Sequence, residues 1–316
     1  MATKNYILGG GINGIIAAHF MRDYTVISPD IGGQMSVSWA GPRLLHTHSN
    51  NEKLLNSVSY GSFAAKTYKI VYYYCEKTKG NLWHDTIDAE NKLTYWLKSR
   101  CLDSDSDSEL VPAASSMSDG NNTLQAFDID WARLISLLAE SMSSRWIKAK
   151  VTNIDTENKV IHVENGNKIK YDQILSTIPA PLLFKLTNQK TSQLFEAKPK
   201  VFMKVPNSSQ FSRILPTIPE GCDYAYIVKT PPAYHRLTKF ENCVIVEFTG
   251  EEFIEIVEAL ATRHSFEQFV QPNAQIIPTK EKIEHPKDIT PLGRYAEWNH
   301  GLKIQDVVGW CLANNS

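Results

Sequence analysis

Short apolar runs and helically spaced ones alternate from the start of the chain. Tyr6-Ile7-Leu8 is an apolar run cut off by three glycines, and from Ile12 to Met21 the apolar residues recur at helical spacing until Arg22-Asp23 end the pattern. Tyr24 to Ser28 is a β-rich run stopped by Pro29, so the first 28 residues read as a βαβ unit, with parallel strands and a right-handed crossover. Tyr68 to Tyr74 is β-branched and aromatic and fits a strand. Asp128 or Asp130 is placed to cap a helix through Trp131, Leu134, Ile135, Leu137 and Leu138. Lys148 to Asp155 and Lys159 to Val163 alternate like a hairpin, and Asn165-Gly166 marks a further turn. Tyr171 to Pro179 reads as a buried strand, with a helix starting near Pro181. Strands return from Lys198 to Phe248, followed by helices over Glu251 to Arg263 and from about Ile304 to Leu312.

Composition narrows the class. A chain of 316 residues is about twice a common domain length, so two interlocked domains or one large α/β body is expected. The 33 Lys and Arg against 34 Asp and Glu leave a net charge of −1, which recruits neither nucleic acid nor an anionic membrane by global charge. Apolar runs stay well short of the ~18 residues of a membrane span, and Met1 to Asn5 lacks a signal-peptide layout, so a cytoplasmic protein is expected. The 5 cysteines are scattered without a C-x-x-C pair, which supports neither a disulfide framework nor a zinc cluster. Asp103 to Glu109, an alternation of Asp and Ser, has the composition of a solvated loop and lacks calcium-loop spacing; no metal is expected.

The chemistry starts at Gly9-Gly10-Gly11-Ile12-Asn13-Gly14, which satisfies G-x-G-x-x-G between a strand and a helix. With 16 glycines in 316 residues, three at these fixed positions arise by chance about 0.04 times per chain. Glycine at these positions permits a tight turn and lets backbone amides reach a pyrophosphate at a helix N-terminus. The acid that would accept an adenosine ribose hydroxyl is replaced by Ser28, with Asp30 two residues on, which argues against NAD. No arginine follows the second strand to take a 2′-phosphate, so NADP is not supported either.

Further along, Gly32-Gly33 and then Gly41-Pro42-Arg43-Leu44-Leu45-His46-Thr47 make the chain resemble the flavin superfamily of UDP-galactopyranose mutases, protoporphyrinogen oxidases and amine oxidases. Val151, Tyr171 to Pro179, and Leu292 to Trp298 agree with that superfamily in order. The resemblance implies a Rossmann-type, glutathione-reductase-like FAD-binding domain, with an inserted β-rich substrate domain. It places the FAD-binding segments at 1–60, 125–190 and 285–316 and the substrate domain at 61–124 and 191–284. By the same resemblance, Gly9, Gly11, Gly14, Gly32, Gly33, Val151, Gly293 and Arg294 would hold FAD. Backbone amides near Lys303 and Ile304 would face the flavin pyrimidine, and Ser28 would stand at the ribose. Arg43 and His46 would lie by the flavin ring. Arg236, in Ala233 to Thr238, would match a mutase arginine that grips a substrate phosphate. His46 and Arg236 also fit a packed histidine and a solvated strand-end arginine.

Four functions follow as expectations. The first is an FAD-dependent oxidoreductase that oxidises a C–N bond of an amine by hydride transfer to flavin N5. A narrower form is a flavin lyase of the kind bacteriophages use on amino-acid-modified thymine in DNA, leaving an aminomethyl base. The third is a UDP-sugar mutase using reduced flavin, and the fourth a non-catalytic flavin-binding protein. The partner is an amine-bearing substrate, in the narrower form a modified nucleotide or DNA, and no membrane.

Overall fold

The computed structural model describes residues 4–37, 39–40, 44–76, 80–84, 91, 94–95, 123–190, 195–228, 233–277, 283–299 and 301–315. The Asp-Ser stretch at 103–109 and Gly41-Pro42-Arg43, with the expected flavin-side arginine, lie outside these residues.

β1 (Asn5–Leu8) and β2 (Tyr24–Ser28) flank α1 (Ile12–Phe20), as the apolar spacing requires. β3 (Leu45–His46) leads into α2 (Ser49–Ser57), which is capped by His48, whose Nδ1 accepts from the Asn50 amide at 3.1 Å. β4 (Ala65–Glu76), β5 (Gly80–His84) and β6 (Thr123–Phe127) precede α3 (Trp131–Met142). Of the two acids near the start of α3, Asp130 is the cap: its Oδ1 accepts from the amides of Ala132 at 2.8 Å and Arg133 at 3.3 Å. Trp131, Leu134, Leu138 and Met142 recur on one side of α3 and are buried against α1. Arg145, just beyond, closes the end of α1 by donating to the carbonyls of Ala18 and Tyr24, each at 2.8 Å.

The chain continues with β7 (Trp146–Lys148), β8 (Val151–Asp155), β9 (Val160–Val163), β10 (Lys168–Lys170), β11 (Gln173–Ser176) and α4 (Ala180–Leu186). β12 (Ala197–Pro206), β13 (Tyr224–Ile227), β14 (Arg236–Phe240) and β15 (Cys243–Thr249) follow. α5 (Glu252–His264), β16 (Glu267–Ile276), β17 (Ile289–Pro291) and α6 (Ile304–Asn314) complete it.

Five strands form a wholly parallel sheet in the order β17-β11-β1-β2-β7. β1 is central, and the chain leaves it first towards β2 and later returns on its other side as β11. The crevice for a ligand in such a sheet opens at the carboxyl end of the strand where the order reverses, here Leu8-Gly9. The alternation expected to form one hairpin from Lys148 divides in two. Trp146–Lys148 joins the parallel sheet beside β2, and the Ala149 amide still donates to the Ser28 carbonyl at 3.3 Å. The hairpin proper begins at Val151 and, with β10, makes a three-stranded antiparallel sheet.

The second sheet has nine strands, in the order β16-β12-β15-β14-β13-β4-β6-β3 with β5 against β4. Leu45–His46, expected with the first domain, is therefore its outermost strand. The two faces follow from the alternation of side chains along each strand. Val201, Met203, Val205, Leu237, Val246 and Phe248 face one way and pack with Val257 of α5. Phe202 and Ile245 face the other way and pack on Ala40, Val37 and Trp39, from the segment after β2. That second, inner face, packed on the segment after β2, also carries Lys200, Arg236 and Glu247.

Candidate functional site

The glycines of the fingerprint have different work. Gly9 takes φ +105° and ends β1, and its amide donates to the Ile27 carbonyl at 3.1 Å. A Cβ on Gly14 would lie 1.9 Å from the Gly9 carbonyl oxygen, so Gly14 sets how closely α1 approaches the strand. Gly10, absent from the expected set, is equally constrained: its Cβ would meet the Asp30 carbonyl at 2.1 Å. Gly11 differs from all of these, because a Cβ there meets nothing within 4 Å. It is the N-cap residue of α1 and offers no side-chain cap, and the first turn of α1 carries no acid. The helix therefore presents unpaired amides and positive dipole to an open space beside Gly11.

Other segments close around that space. Gly32 pairs with Gly11 in a parallel bridge, its amide donating to the Gly10 carbonyl at 2.8 Å, and a Cβ on Gly33 would stand 3.2 Å from Gly11 Cα. Gly293, at φ +92°, arrives from the far end of the chain; its Cβ would lie 2.2 Å from Nδ2 of Asn13 and 3.4 Å from Cγ2 of Val307. The sequence offered no sign of Asn13, since it occupies a variable position of the motif. Glu297 holds the Gly293 turn by accepting from its amide at 2.9 Å. Arg294 donates from Nε to the Leu302 carbonyl at 3.2 Å, and burial lowers its pKa. Gln271 of β16 donates to Oε1 of Gln34 at 2.6 Å and to the Tyr295 hydroxyl at 3.3 Å, tying the second sheet to this edge.

Two expected cofactor residues are already engaged within the protein. The Ser28 hydroxyl is buried and donates to the Asp30 carbonyl at 2.6 Å, so it shapes the turn, while the Asp30 side chain is exposed. The Lys303 amide donates to Oδ2 of Asp306 at 2.7 Å, which spends it as a helix-start bond. Ile304 does begin α6. Val151 stands at the start of β8, opposite Val163.

His46 is paired with Ala126 across β3 and β6. Burial, then the positive charges of Lys303 and Arg294, lower its pKa to about 4, so the ring is neutral near pH 7. His46 is far in sequence from Arg294 and Lys303, yet the three share one electrostatic neighbourhood.

Arg236 has a different setting from the one expected. Its Nε donates to Oε2 of Glu247 at 2.8 Å, and its terminal nitrogen closes on the same oxygen. Oε1 of Glu247 takes Lys200 Nζ and, at 2.9 Å, Nε2 of His235. Glu247 is 1% exposed. Burial pushes its carboxyl up, but Arg236, Lys200 and His235 overrule this and hold it well below the ordinary value. Burial likewise lowers His235 to about 4, against the pull of Glu247. Arg236 is thus the clamp on a buried carboxylate, with Tyr95 and Tyr226 near it. A lone acid in the apolar run Cys243 to Thr249 was the available sign of this cluster, read simply as part of a strand.

No protein-family model and no curated protein sequence matches the chain. Its fold is nevertheless shared by several solved structures. A reduced UDP-galactopyranose mutase superimposes with a TM-score of 0.67 at 12% identity, over 97% of this chain and 93% of that one. An oxidoreductase from Methanosarcina mazei gives 0.63 at 11% identity, over 98% and 99% of the two chains. A putrescine oxidase double mutant redesigned in cofactor binding gives 0.61 at 9%, again over 98% and 99%. At such identities the likeness establishes the fold alone. No helix among the described residues is long and apolar enough to cross a membrane. Among those residues no group of three or more His, Cys, Asp and Glu is placed to hold a metal.

Proposed function

We propose that the protein is an FAD-dependent oxidoreductase acting on the C–N bond of an amine. The residues fit the cofactor: the open space at Gly11 is one that a single Cβ would enter, and uncapped α1 amides with no neighbouring acid suit a pyrophosphate. Gly11, Gly32, Gly33, Gly293 and Arg294 would hold FAD directly, with Gly9 and Gly14 shaping the loop and Asp30 replacing Ser28 at the ribose. When bound, the flavin supplies a hydride acceptor at N5. This reading takes segments 1–60, 125–190 and 285–316 as cofactor-binding and 61–124 with 191–284 as the substrate lobe.

The amine assignment rests on one observation, the neutral His46 beside Lys303 and Arg294. An environment that disfavours a proton on imidazole also disfavours one on an amine held there, and an unprotonated nitrogen is what C–N oxidation requires. The lobe would exclude water and align the donor carbon. The mutase reading is less well supported, because Glu247 already occupies the two Arg236 donors that a diphosphate would need.

The test is anaerobic. Protein loaded with FAD is mixed with primary and secondary amines, polyamines, amino acids and DNA bearing amino-acid-modified thymine. Bleaching of the flavin band by one class supports the proposal and names the substrate. A flavin left oxidised by every class overturns the amine assignment, and a protein that takes up no FAD overturns the whole reading.

A further inference from the structure

Two adjacent asparagines join α2 to α6, and they are not equivalent. Asn51 is wholly buried in the first turn of α2. Its Nδ2 donates to the His46 carbonyl at 2.8 Å and reaches Oε1 of Gln305, in the first turn of α6, at 3.4 Å. The orientation of the amide follows from its partner: a flipped side chain would set two acceptors, Oδ1 and the His46 carbonyl, against each other. In that orientation Oδ1 is enclosed and has no hydrogen-bond partner among the described residues, a condition buried amides ordinarily avoid.

Asn50 makes the neighbouring contact. Its Nδ2 donates to the Gln305 main-chain carbonyl at 3.0 Å, and Gly309 leaves room for it, since a Cβ there would stand 2.7 Å from that nitrogen. Asn50 thus joins α2 to α6 without touching His46, whereas Asn51 joins both. β3 has only two residues, with single partners at Phe127 and Ala126, so pairing alone restrains the His46 peptide weakly. Lys303 and Arg294 act on the His46 ring from the segment leading into α6, and Lys303 is the residue before it.

We infer that Asn51 is a positioning residue for the candidate site, tethering the His46 peptide to the first turn of α6 and so setting the ring against Lys303 and Arg294. The inference rests on the amine-oxidase reading only for the purpose of the tether; the tether itself belongs to the bare chain.

The experiment follows the His46 ring by NMR between pH 5 and 7.5 in full-length protein without added FAD, with the signal assigned by its loss in His46→Gln. In the wild type the ring stays neutral throughout this range. In Asn51→Ala the ring is released from its buried place beside Lys303 and Arg294, and its proton affinity rises at least about tenfold, so it begins to titrate within the range. Asn50→Ala loses a comparable α2–α6 contact and melting temperature but leaves the His46 signal unmoved. Gln305→Ala, a milder variant should Asn51→Ala not fold, moves the signal in the same direction by less. An unmoved ring in both Asn51→Ala and Gln305→Ala, or equal movement in Asn51→Ala and Asn50→Ala, overturns the inference. A second arm adds FAD: the bound-flavin absorption spectrum changes in Asn51→Ala and not in Asn50→Ala. Failure to take up any FAD removes the proposed function while the first arm still decides the role of Asn51.

Discussion

The carboxyl end of the parallel sheet and the inner face of the nine-stranded sheet present opposite solutions to binding charge. At the carboxyl end the agent is backbone: glycines clear a space, and helix amides with no acid beside them face it. On the inner face the agents are side chains, and they are already neutralised, with Lys200, His235 and Arg236 converging on Glu247. The contrast separates an open space faced by uncapped amides from a cluster that supplies its own counter-charge. Net charge says nothing of either, since both vanish in a total of −1.

The largest effect that would sharpen this contrast lies within the fingerprint itself. Gly14→Val drives a side chain into the Gly9 carbonyl and costs more than about 4 kcal/mol, enough to prevent folding. Gly11→Ala, with open space around it, leaves urea stability within about 0.5 kcal/mol. FAD affinity in Gly11→Ala falls about tenfold or more, read by flavin fluorescence titration. Equal loss of stability in the two variants would erase the distinction between a structural and a ligand-facing glycine.

Next in size is the inner face. Glu247→Ala removes the buried carboxylate that Arg236 and Lys200 share and costs about 3 kcal/mol in urea unfolding. Glu247→Gln keeps the shape and loses most of the same stability. A neutral outcome for both would show that Lys200 and Arg236 reach water unaided.

The smallest effect is a slope. His46 and His235, one from each region, have folded pKa values of about 4 against an ordinary 6.5. Below pH 6.5 the unfolded chain takes up protons that the folded chain refuses until about pH 4, so stability falls as pH drops through that window. Each histidine contributes up to about 1.4 kcal/mol per pH unit. Glu247, with its lowered pKa, stabilises above the ordinary carboxyl value and withdraws that support only at lower pH. Replacing either histidine by glutamine should flatten the urea-stability profile between pH 6.5 and 5; an unchanged profile would mean that the ring already takes up its proton in the folded state.

Much of the fold was legible because it is local. The strand, glycine turn and helix at the N-terminus, the Asp130 helix and the final helix each carry their own period and start signal within a dozen or so residues. Legibility ended where partners came from afar. Lys148 alternates with its neighbours just as a hairpin strand would, and only the free edge of β2 decided that Trp146–Lys148 would extend the parallel sheet. Ser28 was read as a ribose contact because it holds the place of an acid, while its hydroxyl is directed to Asp30 by the turn itself.

What the sequence determined by itself was the conformational capacity of the backbone: where it turns, where it permits close approach, and which stretches have an apolar side. Glycine and period carry that information without reference to the rest of the chain. What only the tertiary structure decided was the charge state and partner of each functional group. His46 is neutral because folding buries it and then brings Lys303 and Arg294 to it from the other end of the chain, and Arg236 is a clamp for Glu247 because β14 and β15 pair in a register that sets them opposite each other. Electrostatic energies depend on distance and burial, and both are settled only when remote segments meet.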